Sequence, residues 1–95
     1  MLVRVVTFAS KEGMENQLKE IGQNLLVPIN KKAGSLHAYF LEPNIEDGNP
    51  LFGVVSVWPD KETVDAMKNS EVYQALLQTI SPLIESVTDR LYSTS

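Results

Sequence analysis

One histidine, one tryptophan and no cysteine in 95 residues leave few parts from which to build a reaction. His37 is the sole imidazole, able to take a proton near neutral pH and act as a base. It alternates with Tyr39 and Leu41, so a place in a subunit interface competes with the catalytic reading. Tyr39 and Tyr73 could orient a phenolic ligand through their hydroxyls, or pack as amphipathic core. Trp58 could wall a pocket for a flat molecule, or simply close a core. Arg4 could hold an anion, or pair with an acid across a subunit interface. This set contains no nucleophile, base and orienting group that belong together. Metal-ligand spacing is absent, and the 5 glycines are too scattered to form a phosphate-binding loop. Neither a metal nor a cofactor is expected.

These residues need elements to position them, and the stretch Leu51 to Leu77 organises the rest. Phe52, Val54, Val55 and Val57 form a β-branched run that reads as a strand ending at Trp58. Pro59 cannot donate to a ladder and stops it, and Asp60 suits a helix N-cap. Val64 and Met67 make a short inward stripe. Ser70 can cap a second helix carrying Tyr73, Leu76, Leu77, Ile80 and Ile84.

Upstream, Val3, Val5 and Thr7 alternate with Arg4, Val6 and Phe8 in a first strand. Ser10 or Gly13 is expected to cap the helix that follows, whose stripe is Met14, Leu18, Ile21, Leu25 and Ile29. Pro28 should kink or restart this helix, and Gly34 reads as its C′ residue. A second strand runs from about Ser35 to Leu41, and Pro43 to Pro50 is a turn-rich connection. Val87 to Tyr92 is expected to be a fourth strand after a kink at Pro82.

The order β-α-β-β-α-β is the ferredoxin-like arrangement, α+β with an antiparallel sheet, in a single domain spanning 1–95. Two helices cover one face of such a sheet, yet the first and third strands are apolar on both. A homodimer packed face to face resolves this. A formal charge of −4 and no basic cluster beyond Lys31-Lys32 argue against nucleic acid. The sequence carries no membrane span, and MLVRVVTF reads as a strand rather than a signal peptide, so a cytoplasmic location is expected.

In this order of elements the chain resembles the antibiotic biosynthesis monooxygenase-like family of dimeric α+β barrels. Lys11-Glu12-Gly13 sits where the family has a Lys-Pro-Gly turn, and Lys32-Ala33-Gly34-Ser35-Leu36 resembles its step into the second strand. Trp58 through Tyr73 gives the densest match, and Ser81-Pro82-Leu83-Ile84 resembles its helix end. The resemblance implies a dimeric α+β barrel and a pocket between helices and sheet, with Trp58, Tyr73 and Thr7 as walls and family pocket positions at Met67 and Val72. Many relatives have histidines at those last two positions and a glutamate at Ser56. Haem-degrading relatives pair the tryptophan with an asparagine and a histidine. Thr7 and Leu77 stand in their place, so haem is not expected.

Two functions follow. One is a cofactor-independent monooxygenase, in which a small aromatic substrate supplies the electrons and His37 is the base. The other is a non-catalytic small-molecule-binding or purely structural dimer of the same fold.

Overall fold

The computed structural model describes residues 1–94. Four strands, β1 (Leu2–Ser10), β2 (His37–Leu41), β3 (Phe52–Trp58) and β4 (Ile84–Ser93), form one sheet in the order β2-β3-β1-β4. All three pairings are antiparallel. The architecture is the expected ferredoxin-like α+β layer pair. Register sets the faces, since residues directly opposite one another share a side. Leu2, Arg4, Val6 and Phe8 lie opposite Trp58, Ser56, Val54 and Phe52 and face the helices. Val3, Val5 and Thr7 lie opposite Val57, Val55 and Gly53, which in turn pair with His37, Tyr39 and Leu41 on the open face.

The helical layer begins with α1 (Glu15–Ile21) and α2 (Val27–Lys32), joined by a π-helical turn over Gly22–Leu26. The Val27 amide donates to the Gly22 carbonyl, five residues back. Pro28 explains the widening: its ring would clash with the carbonyl four residues earlier, and it has no N–H to offer. The extra residue rotates everything downstream. The expected stripe is therefore shifted: Leu25 is exposed and Ile21 and Ile29 pack half-buried against the core, while Leu18, Gly22, Leu26 and Asn30 are the buried positions, at steps of four. Gly22 is required here. A Cβ on it would lie 2.1 Å from the Phe40 ring of β2.

Met14 rather than Ser10 or Gly13 occupies the N-cap of α1, with no side-chain bond, because Gly13 takes a left-handed turn at φ 84°. Gly34, at φ 110°, follows α2 as expected of a C′ residue. Asp60 caps α3 (Lys61–Lys68), its Oδ1 accepting from the Thr63 amide at 2.8 Å. Ser70 caps α4 (Glu71–Ile80) by accepting from the Tyr73 amide at 3.2 Å. Pro82 falls in a 3₁₀ turn over Ser81–Leu83, and β4 starts at Ile84, earlier than expected. Ile84 therefore opens a strand instead of extending the α4 stripe.

Two clusters fill the layer. Phe8, Leu18, Leu26, Phe52, Val54, Leu76 and Ile80 form the larger. Trp58, Val64, Met67 and Tyr73 form the smaller, with Leu2 and Ala33 against them. Among the described residues no helix is long and apolar enough to cross a membrane.

Candidate functional site

At the β4 end of the sheet the helices stop short, and a cleft of ≈ 350 Å³ opens between α4 and β1/β4. Val6, Leu77 and Val87 give it apolar walls, and Arg4, Lys68, Asn69, Tyr73, Gln74 and Asp89 its polar lining. A smaller cavity of ≈ 60 Å³ lies deeper, reaching Asn30, Leu26 and Ser56. Arg4, Val6, Tyr73, Leu77 and Val87 line both, so the two are contiguous.

β1 delivers Arg4 to the helix-facing side, where burial of a cation demands partners. Nε donates to Asp89 Oδ1 at 3.0 Å, and Nη2 to Asp89 Oδ2 at 2.6 Å and to the Tyr73 hydroxyl at 2.8 Å. Asp89 thus belongs to the neighbouring strand of the same chain, not to an acid across a dimer. The guanidinium carbon also lies 5.4 Å from the Tyr73 ring centroid. Among the described residues Nη1 has no protein partner, leaving two N–H donors unspent. Burial opposes the Arg4 charge, but bonds to Asp89 and Tyr73 outweigh it and raise its pKa. Burial likewise favours a neutral Asp89, yet Arg4, with a smaller contribution from Lys68, outweighs that effect and holds the carboxyl below its ordinary range. The result is a permanently charged fork beside apolar walls, suited to an anionic or carbonyl oxygen.

The residues singled out from sequence do not converge. Tyr73 lines the cleft and the inner cavity. Trp58, 0% exposed, is sealed in the smaller cluster, its Nε1 donating to Ser56 Oγ at 2.8 Å. Met67 packs beside it. Val72 is 61% exposed and borders a separate groove with Ile29, Lys32, Ala33 and Ser70. Thr7 and His37 lie on the open face, on the other side of the sheet from Tyr73. His37 stacks on Tyr39, ring centroids 6.4 Å apart. Asp89 and Asn30 also belong to the polar lining and were not anticipated. Asp89 was readable as an acid on a strand that neighbours β1. Asn30 was hidden by the π turn. Among the described residues no cluster of three or more His, Asp or Glu side chains could hold a metal ion.

No family model matches the chain, and no curated protein matches its sequence. Solved structures do match. A Nitrosomonas europaea protein provisionally named an antibiotic biosynthesis monooxygenase superposes with a TM-score of 0.83 at 17% identity, covering 99% of this chain and 98% of its own. A Deinococcus radiodurans protein under the same provisional name gives 0.81 at 13%, covering 100% and 93%. A Shewanella oneidensis protein gives 0.82 at 23%, covering 96% and 87%. At such identities the likeness establishes the fold, and that fold is the one shared by structures named for antibiotic biosynthesis monooxygenases.

Proposed function

We propose that the chain is a cofactor-independent monooxygenase acting on a small aromatic molecule in the cleft between α4 and β4. The observation that carries this reading is buried Arg4, its Nη1 without a partner among the described residues, lining a cleft beside Val6, Leu77 and Val87. A phenol seated there gives up its proton to water at the mouth, and Arg4 stabilises the phenolate oxygen. The electron-rich ring then reduces dioxygen. One oxygen atom forms a ring carbonyl and the other leaves as water, so the phenol and O₂ become a quinone and water with no other reductant. The substrate provides the electrons, and the chain provides charge, orientation and exclusion of water.

Oxygen uptake by metal-free protein with naphthols and catechols tests this directly. One O₂ consumed per substrate, with a rate lowered about 100-fold in a folded Arg4→Met variant, is the expected result. A lack of uptake with any phenol tested would overturn it. The position of His37 on the open face, away from the cleft, favours a second reading, a small-molecule-binding dimer without catalysis. Saturable binding without uptake would select that reading.

The proposal includes a homodimer formed through the open face of the sheet. Half-buried Val3, Val5, Val55 and Val57 lie there beside Tyr39, which is 57% exposed. A second copy of the same face would cover them, placing His37 and Thr7 in the interface.

A further inference from the structure

Asn30 borders the inner cavity from α2, across from Arg4, Val6 and Ser56 of the sheet. It is 2% exposed, and its Nδ2 donates to the Leu26 carbonyl at 2.7 Å. Oδ1 is fully buried and has no hydrogen-bond partner among the described residues. The amide cannot sensibly be reversed, because that would set Oδ1 against the Leu26 carbonyl oxygen and remove the bond. With Nδ2 turned back onto its own helix, Oδ1 is the atom of this cavity-lining residue left without a partner among the described residues. Buried amide oxygens nearly always have a donor, so this one marks a place for a donor from outside the chain.

Size and lining narrow what that donor is. The cavity, at ≈ 60 Å³, is too small for an aromatic ring. It holds roughly two waters' worth of space, or one small substituent. Phe8, Leu26, Val54 and Ile80 make most of its wall apolar, and a charged group would be costly there. It is contiguous with the outer cleft, and Arg4 lines both.

We infer that the inner cavity is a subsite for a neutral hydrogen-bond donor, a hydroxyl or amino substituent that a ligand in the outer cleft projects inward onto Asn30 Oδ1. The inference rests on the reading that the outer cleft binds an aromatic molecule. Arg4 and Asn30 then recognise opposite hydrogen-bonding characters on one ligand: Arg4 an acceptor or anionic oxygen, Asn30 a donor. Asn30 is a specificity-determining residue, because a ligand lacking the donor leaves Oδ1 unpaired.

Anaerobic NMR titration of the full chain tests this with phenol against catechol, resorcinol and hydroquinone, which move a second hydroxyl around the ring. In the wild type at least one diol is expected to bind about tenfold tighter than phenol, and Asn30→Leu to bring that ratio close to one. Equal binding of phenol and every diol would overturn the inference, leaving a trapped water as the partner of Oδ1 and the cleft reading intact. A preference that survives in Asn30→Leu would overturn it as well. Failure of every ring to bind would overturn both this inference and the cleft reading. If Asn30→Leu does not fold, the Asn30 side-chain amide signals of ¹⁵N-labelled wild type decide. They should shift with the preferred diol and stay put with phenol, and signals unmoved by any diol would count against the proposal.

Discussion

Arg4 and Asp89 meet diagonally across adjacent strands, joined by bonds of 2.6 and 3.0 Å. Asp89 pairs in register with Val6, one same-face step from Arg4. The carboxylate holds the guanidinium by its Nε and Nη2 edge and leaves Nη1 without a partner among the described residues. A pair that would otherwise look like a strand-to-strand clamp therefore also aims a cation.

The first prediction concerns that clamp and acid. Asp89→Asn should lower stability by about 1–3 kcal/mol, since it weakens the bonds to a buried charge. The Asp89 carboxyl is held below its ordinary pKa, so its contribution is complete above the unfolded value of about 3.9. It is lost as pH falls through the lower folded value. Asp60, held low first by the Thr63 hydroxyl and then by the Thr63 amide, titrates in the same window. Urea melts from pH 6 downward should lose stability less steeply in Asp89→Asn than in wild type. Identical slopes would mean that the pair does not set the acid limit.

Trp58 is expected to behave as core. Its emission should be blue-shifted and poorly quenched by iodide, given its complete burial. Trp58→Ala should cost about 3–5 kcal/mol, as for other buried large side chains. Its indole lines neither the cleft nor the inner cavity, so aromatic ligands should quench it weakly. Strong saturable quenching would move the binding site towards the smaller cluster.

The open face should bring two chains together. Light scattering at micromolar concentration is expected to give about twice the chain mass, and Val5→Glu or Val55→Glu to halve it. Both substitutions leave the helix-side core untouched. A wild-type monomer with a cooperative melt would show that the sheet tolerates an uncovered apolar face.

Hemin should bind without an axial protein ligand. Leu77, which lines the cleft, cannot ligate iron, and His37 lies on the other side of the sheet. Titration should give no sharp Soret shift, or one that His37→Ala leaves unchanged. A stoichiometric complex abolished by that substitution would refute this.

The strands and caps were legible because local chemistry fixes them. Asp60 and Ser70 cap where their side chains can reach the first-turn amides, and Pro59 ends β3 where a ladder donor would be needed. Alternation in β1 and β3 assigned both faces correctly. What escaped was non-local or depended on counting turns. The widened turn before Pro28 advanced the buried stripe by one residue, exchanging Leu25 for Leu26 and bringing Asn30 inward. The partner of Arg4 sits 85 positions away in sequence, and only strand order makes them neighbours. His37 stood out by its residue type and Thr7 by the resemblance. The period of two in a strand put both on the open face, on the other side of the sheet from Arg4 and Tyr73.

The contact between Gly22 and Phe40 has a consequence for how this sequence can drift. Any side chain at position 22 enters the space of the Phe40 ring, and a smaller residue at position 40 alone leaves a void under the helix. Each single step is therefore disfavoured, while the paired change is open. Homologues lacking a glycine at this point of the widened turn should carry a smaller residue on the second strand, having changed both positions together. The helix that presents Asn30 would then be held at its depth by a two-residue lock, inherited as a unit and visible as covariation once enough such sequences are aligned.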